Sequence, residues 1–440
     1  MSMRCTRKQS PNLRDDKKPT ERIASMNKSQ VIIVGAGAGG LFSAIMLARN
    51  GVKCLVIEQN KILGKKLLIT GKGRCNVTNN CDAQTVMNNI PHNSRFMYSA
   101  LSSFEPKDTI RFFEELGVEL KTERGNRVFP KSDRSQSIVN ALIDEAKKLG
   151  VRFVKEKVLS LSQNEGNICE VVTDKSRYLC DNVIVATGGK SYPNTGSTGD
   201  GYAFAESMGH TVTELCPSLV PIVTEESEPA EMMGLSLKNV TLTLKDNIKN
   251  KKIYSEMGEM LFTHFGISGP LVLSASAHID KIEKNRYTVE IDLKPALSEK
   301  QLDERILRDF SQELNRDFCN SLGMLLPSAI IPIVVSRSKI PPDLKVNSIT
   351  KQQRQALVNA IKCYTLTVRD FRPIDEAIIT RGGVSIKEIS PKTMESKLVN
   401  GLYFVGEIID VDAYTGGFNL QIAFSTAYCA AQAITEKLAY

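Results

Sequence analysis

Three glycines and one acid carry the clearest chemistry in this sequence. Gly35-x-Gly37-x-x-Gly40 is followed, 18 residues after its third glycine, by Glu58. Gly35 permits a tight strand-to-helix turn, Gly37 lets the backbone approach a pyrophosphate, and Gly40 lets helix and strand pack closely. With Ala38 and Gly39 they open a helix whose free N–H groups favour phosphate oxygens. Glu58, with Gln59 beside it, can accept hydrogen bonds from ribose hydroxyls and would repel a 2′-phosphate. The set predicts the adenosine end of a dinucleotide.

That chemistry needs a strand, a helix and a second strand to hold it. Val31-Ile32-Ile33-Val34 is a β-branched run of the kind buried on both faces of a parallel sheet. Residues 41–48 continue as an apolar helix, and residues 53–57 form a second strand ending on Glu58. Two further corners follow the same logic. The run from Asn182 to Ala186 leads into Thr187-Gly188-Gly189, and ligands of doubly wound sheets sit beyond such strand ends. Val158, closing a strand over residues 151–158, is placed at the same edge. Residues 401–406 form an apolar strand, followed by Glu407, Asp410 and a Gly416-Gly417 step into a helix starting at Asn419 and Leu420. That helix N-terminus can stabilise negative charge on a reduced flavin ring. A plain Gly-Gly turn capping a C-terminal helix is the competing reading of this corner taken alone. Taken with the first corner, FAD spanning both is the better account, because NAD alone needs no distant second corner.

Between the corners the texture changes. A loop over residues 60–80 is followed by helices near 106–116 and 135–149, then by a hairpin over 168–173 and 178–179. From about Cys216 short alternating runs at 220–224, 237–244, 252–257 and 287–293 predict a small barrel. Residues 302–314, 321–335 and 351–361 read as helices, strands return at 363–368 and 376–380, and residues 419–438 close as a helix. The expected class is α/β: a Rossmann-type nucleotide-binding domain whose first and last parts build one sheet around a β-plus-α insertion. The expected divisions are a disordered basic extension (1–29), the first FAD part (30–215), barrel (216–296 and 363–375), helical subdomain (297–362) and second FAD part (376–440).

Bulk properties narrow the class. Of 440 residues 42% are hydrophobic and 24% charged, as in globular proteins, and no apolar run reaches the length of a membrane span. The N-terminal stretch lacks an apolar signal segment, so a cytoplasmic protein is expected. Ten cysteines without a CxxC pair fit free thiols, and four isolated histidines predict no metal site. Absence of CxxC also argues against a thiol–disulfide reductase. Gly196-x-x-Gly199-x-Gly201 lacks the GxGxxG order, so no second Rossmann domain for a nicotinamide cofactor is expected. Five of the eight net positive charges lie in the first 30 residues, a basic arm that can attract nucleic acid.

The motifs GKKLLITGKGRCNVTN, ATGGKSYPNTGSTGDGYAFAESMGH and GLYFVGEIIDVDAYTGGFNLQIAFSTAY together resemble the BaiN/YhiN-like flavoproteins, also called the RdsA type, from about Val31 onward. The resemblance implies a two-part FAD-binding domain of the glutathione-reductase kind, interrupted by a β-barrel insert with a nested helical subdomain. It implies an FAD-dependent, NAD(P)H-using oxidoreductase that reduces an activated C=C: a steroid dienone in bile-acid metabolism, or a uridine in large-subunit ribosomal RNA. Lys72, Ala413 and Phe418 depart from the usual pattern, with Gly or a small residue, Gly and Tyr commoner there.

Hydride transfer to such a bond needs a placed flavin, a polarised carbonyl and a proton for the neighbouring carbon. Arg74 is assigned to carbonyl or anionic groups, Asn76 to the ring or its loop, and Cys75 to proton donation, with Tyr414 as the competing acid. A loop that merely folds around FAD is the plainer reading of Arg74, Cys75 and Asn76. Lys65 and Lys66 are placed at phosphate or reduced flavin, and Gly73 and Thr78 complete the loop's contacts. His264 reads as a packed, hydrogen-bonded residue. Ribosomal RNA is the favoured substrate on charge, a small enone the alternative, and a non-catalytic FAD-holding protein the third reading. NADH or NADPH is the expected reductant.

Overall fold

Residues 27–439 are described by a computed structural model of the chain. Its centre is a seven-stranded sheet. Asn27–Val34 pairs in parallel with Cys54–Glu58 on one side and Arg177–Val185 on the other, and Arg152–Lys155 adds beyond Cys54–Glu58. Val31 to Ile33 are wholly buried, as a β-branched run in a central parallel strand is expected to be. The far side of Arg177–Val185 is shared. Its first half carries the antiparallel hairpin of Asn167–Thr173 and Val158–Asn164, and its second half pairs in parallel with Leu402–Phe404.

This sharing aligns the ligand corners. Val34, Val185 and Phe404 lie in one register across three parallel strands. The loops that leave them, at Gly35, Ala186 and Val405, therefore emerge together at one sheet edge. Segments more than 200 residues apart in sequence meet there because the C-terminal strand completes the sheet begun by the first.

Two helices cover one face. Ala38–Arg49 packs against the 22-residue Phe418–Ala439, and Phe42 meets Phe104, Phe112 and Phe424 at ring-centroid distances of 5.0, 4.9 and 5.2 Å. Gln421, fully buried, accepts from the Thr78 and Thr109 hydroxyls and donates to the Phe104 carbonyl. A buried amide satisfied in this way fixes the rotation of the C-terminal helix.

The second unit is a closed six-stranded barrel, in the order Ile222–Thr224, Gly266–Ser268, Lys251–Thr263, Ser236–Asp246, Tyr287–Asp292 and Tyr364–Phe371. Alternation of buried Leu242 and Leu244 with half-exposed neighbours gives Ser236–Asp246 its inner face. Helices Glu299–Ser311, Ile331–Ser338 and Lys351–Lys362 lie between the last two barrel strands in sequence and share one apolar core with the barrel. Capping boxes at Ser298–Gln301 and Thr350–Gln353 start the first and last of them.

Several local expectations change. The strand expected over 151–158 is two strands, because Glu156 and Lys157 turn the chain; the Lys157 N–H is held by Asp174. The separate strands expected at 178–179 and from Asn182 are one, Arg177–Val185. The loop expected over 60–80 contains the helix Lys65–Gly73, broken at Thr70–Lys72 where Gly71 and Lys72 take positive φ of 56° and 57°. The helix expected over 321–335 starts only at Ile331, with Pro332 in its first turn, where a missing N–H costs nothing. His264 is exposed on a turn, its ring edge-on to Phe265, not packed as expected. The basic extension lies almost wholly outside the described residues.

Candidate cofactor and substrate site

At the aligned sheet edge lies a long cavity. It is lined by Gly35, Gly37, Glu58 and Gln59, by Thr187 and Gly188, and by Gly406, Asn419 and Leu420. Gly35 has φ +98°, and a Cβ there would stand 2.7 Å from the Ala186 carbonyl oxygen. A Cβ on Gly40 would stand 1.9 Å from the Gly35 carbonyl oxygen, so this glycine serves close packing and not contact with a ligand. Gly37 is different: a Cβ there would meet nothing within 4 Å, and it caps Ala38–Arg49 with no side-chain hydrogen bond. Open space and free helix N–H groups coincide there, as an anion requires.

Glu58 is oriented by its neighbours. Its Oε2 accepts from the Ala36 N–H at 2.8 Å, and Oε1 accepts from both the N–H and the side-chain amide of Asn60 at 2.8 Å. Asn60 and Gln59 in turn donate to the Thr195 and Gly196 carbonyls at 3.1 Å. The Gly196 to Gly201 segment, set aside in the sequence as a failed second fingerprint, thus belongs to this first site. A Cβ on Gly196 would strike Asn60, and one on Gly201 would strike Thr187. Glycines demanded by packing beyond a strand end were the available signal.

In the cavity wall, Lys66 Nζ lies 2.7 Å from Glu407 Oε2 and donates to Ser191 Oγ at 2.8 Å. Glu407 Oε1 accepts from the Thr380 N–H at 3.0 Å and from Ser191 Oγ at 3.1 Å. Gly189 packs under this network: a Cβ there would stand 2.6 Å from Thr380 Oγ1 and 2.7 Å from Glu407 Oε1. Ser191, Thr380 and Ile379 had no sequence signal. Lys65 lines the mouth and donates to the Asn194 carbonyl, and Val158 lines the wall.

Beyond Leu402–Phe404 the chain reaches Gly416 and Gly417, with φ of +131° and +95°. A Cβ on Gly417 would stand 2.4 Å from the Thr78 carbonyl, which locks the start of Phe418–Ala439 against the segment holding Asn76 and Thr78. The Asn419 side chain accepts from the Ala413 N–H at 2.8 Å and donates to the Ala413 carbonyl at 2.7 Å, fixing the loop between. Asp410 is half-buried behind this wall, its carboxyl pushed up by burial.

The Arg74 loop is placed differently from its expected role. Arg74 pairs with Glu123 and with Asp133, stacks over Phe129 at 4.2 Å, and does not line the cavity. Cys75 is wholly buried, and burial pushes its thiol up to about 11. A thiol with no exposed surface cannot reach a substrate. Gly73 ends the broken helix, and Asn76 leaves its Oδ1 buried without a partner. Tyr414 does not line the cavity either, but it packs against a cluster of Leu219, Ala277 and Ile379, and Ile379 does line it.

The residues present fit FAD. The cavity is lined by both glycine corners, by Glu58, and by the first turns of Ala38–Arg49 and Phe418–Ala439. Thr187 Oγ1 lines the cavity buried and without a hydrogen-bond partner, as a group awaiting a polar ligand would be. The sequence matches the HI0933-like protein Rossmann domain over residues 29–433. The chain belongs to the HI0933-like family. Among relatives of this HI0933-like protein, the ribosomal RNA dihydrouridine synthase of Haemophilus influenzae is 34% identical over 415 residues, covering 93% of this chain and 99% of the relative. The 3-dehydro-bile acid delta(4,6)-reductase of Clostridium scindens is 33% identical over 421 residues, covering 93% and 100%. Among solved structures, a quinol-fumarate reductase with menaquinol molecules superposes with a TM-score of 0.51 at 15% identity, covering 94% of this chain and 72% of that one, a likeness of fold. Among its described residues the HI0933-like chain has no helix long and apolar enough to cross a membrane and no cluster of metal-ligating side chains.

Proposed function

We propose that this protein is an FAD-dependent oxidoreductase that takes hydride from NADH or NADPH and reduces an activated C=C, foremost uridine to dihydrouridine in large-subunit ribosomal RNA. The observation that carries the reading is one cavity lined by both glycine corners and Glu58, with the paired Lys66 and Glu407 in its wall. Relatives named for the two C=C reductions match over nearly their full lengths. The net charge of +8 favours the RNA substrate. A small-molecule enone is the second reading, favoured by the apolar Ile378, Ile379 and Ile422 in the cavity wall. The proposed location is the cytoplasm, and the proposed division of the chain is the one read from its sequence.

Bound FAD would pass hydride from the nicotinamide to the substrate carbon. Gly37 and the N–H groups of Ala38 and Gly39 would hold the pyrophosphate, and Glu58 the ribose hydroxyls. Thr187 would supply its free hydroxyl, and the N-terminus of Phe418–Ala439 would favour negative charge on the ring. Tyr414 is the residue proposed to face substrate. Incubating the purified protein with each nicotinamide cofactor and a naked ribosomal RNA fragment tests the reading. Dihydrouridine in the digest supports it, turnover confined to enones shifts it to the second reading, and no flavin bleaching leaves only an FAD-holding protein.

A further inference from the structure

His278 Nε2 and the Tyr414 hydroxyl lie 2.5 Å apart. They come from different parts of the chain, 136 residues apart. His278 follows the short barrel helix Pro270–Ser276, and Tyr414 precedes the Gly416-Gly417 step into the C-terminal helix. Both are half-buried. Tyr414 packs on Ile379, a cavity residue, and its backbone N–H is fixed by the Asn89 carbonyl at 3.0 Å. The pair thus lies beside a cluster that reaches the cavity through Ile379.

We propose that Tyr414 and His278 form the proton-delivering pair of the enzyme, Tyr414 as the acid that touches substrate and His278 as the positioning residue that resupplies it. The proposal rests on the C=C reductase reading. Such a reduction adds hydride, supplied through FAD, to one carbon and a proton to its neighbour. The Tyr414 O–H bond breaks as the C–H bond forms. The phenolate oxygen then takes the Nε2 proton of His278, and the imidazole takes a proton at Nδ1 from water. One hydride and one proton are gained by the substrate; the imidazole is left as its Nδ1–H tautomer, and proton exchange with water at both ring nitrogens restores the Nε2–H form for the next turnover.

The surroundings suit these roles. Burial, with the Glu256 and Asp412 carboxylates, pushes the Tyr414 phenol up to about 12, so it carries its proton at neutral pH. Burial and His92 hold the His278 imidazole below its ordinary value, against the opposing pull of Asp280 and Asp412. A neutral imidazole can donate from Nε2 to the phenol oxygen and leave the phenol proton free to depart. Tyr254 flanks the imidazole at 5.2 Å between ring centroids, and its hydroxyl is turned away to Glu256. Asp412 is itself held by the Ser218 hydroxyl at 2.7 Å, with His92 Nδ1 3.4 Å away. Cys75, the alternative donor, is sealed in the core.

The test separates the two halves of the reaction in holoenzyme by rapid mixing. Tyr414→Phe and His278→Gln are compared with wild type, with a ribosomal RNA fragment and a steroid dienone as oxidants. Flavin reduction by NADH or NADPH is expected unchanged in both variants. Reoxidation by the C=C substrate should fall by about 10²–10⁴-fold in Tyr414→Phe, as for loss of a general acid. His278→Gln should give a smaller fall, and its solvent deuterium isotope effect should rise. A readout independent of turnover is the tyrosinate absorbance of wild type minus Tyr414→Phe, whose midpoint should move in His278→Gln. Wild-type turnover that Tyr414→Phe retains in full overturns the pair, and an unmoved midpoint with an unchanged isotope effect overturns the role of His278. Failure of wild type to reduce any C=C overturns the reductase reading, and the pair with it.

Discussion

Lys66 Nζ lies 2.7 Å from Glu407 Oε2, so the helix after the second strand and the loop after the C-terminal strand clasp the cavity between them. The pair is 341 residues apart in sequence and mostly shielded from water. Glu407 also holds the Thr380 N–H and Ser191. Removing its charge leaves Lys66 unpaired beside the cofactor and frees the wall. Glu407→Gln should therefore weaken FAD retention by about 1–3 kcal/mol, read from flavin fluorescence on dilution. Unaltered retention would show that the clasp does not bear on the cofactor.

The adenosine end makes a sharper prediction. Glu58 already accepts from Ala36 and Asn60, which aim its remaining lone pairs at the cavity. Glu58→Ala should lose ribose hydrogen bonds worth about 1–3 kcal/mol. Gly37→Val places branched carbons in the space a Cβ would only begin to enter, and should yield colourless protein. Thermal melting in the absence of flavin checks that the fold survives in both. Yellow Gly37→Val protein would contradict the pyrophosphate position.

Cys75 should be silent in chemistry and visible in stability. At neutral pH it should resist iodoacetamide in native protein, since its thiol is buried and stays protonated until about pH 11. Burial raises the thiols of Cys54 and Cys180 to about 12 and that of Cys429 to about 11, from 9.0. Folded-state values above the unfolded one give stability that is complete below pH 9.0 and lost as pH climbs through 11 to 12. Melting temperature should therefore fall steeply above pH 9.0, and less so in Cys75→Ala at matched buffer. A flat profile to pH 11 would contradict the burial account.

The parts of this site that were legible in sequence are those with a local pattern. Val31 to Val34, the three glycines and Glu58 announce strand, turn and acceptor within one stretch, and the structure brings them to one end of the sheet. The strand ending at Val185 and the Gly416-Gly417 step were visible for the same reason. Relations across the chain left no such mark. Nothing near Lys66 signals Glu407, and nothing near Tyr414 signals His278. Arg74 and Cys75 misled because a glycine-flanked loop looks ligand-facing from either side. The structure turns Arg74 to Glu123 and Asp133 and Cys75 inward. The Gly196 to Gly201 run misled in the opposite way, since its glycines answer to packing against Asn60 and Thr187 and fit no standard fingerprint.

The basic arm yields a prediction about substrate. Five surplus positive charges in the first 30 residues should contribute to RNA affinity through counterion release, an effect that shrinks as salt rises. Deleting residues 1–26 should weaken RNA binding at low salt, reduce the salt slope and leave flavin content unchanged. Gel-shift titrations at several salt concentrations measure this. An unchanged slope would remove the arm from the account.

The central claim is reduction of an activated C=C by flavin that a nicotinamide cofactor has reduced. Its most direct measurement follows flavin absorbance and product mass together, in anaerobic holoenzyme given NADH or NADPH and then a ribosomal RNA fragment. Bleaching by one of the cofactors, recovery of absorbance on adding RNA, and a uridine heavier by two hydrogens are the predicted result. Flavin that neither cofactor bleaches, or bleached flavin that neither RNA nor any enone reoxidises, would contradict it.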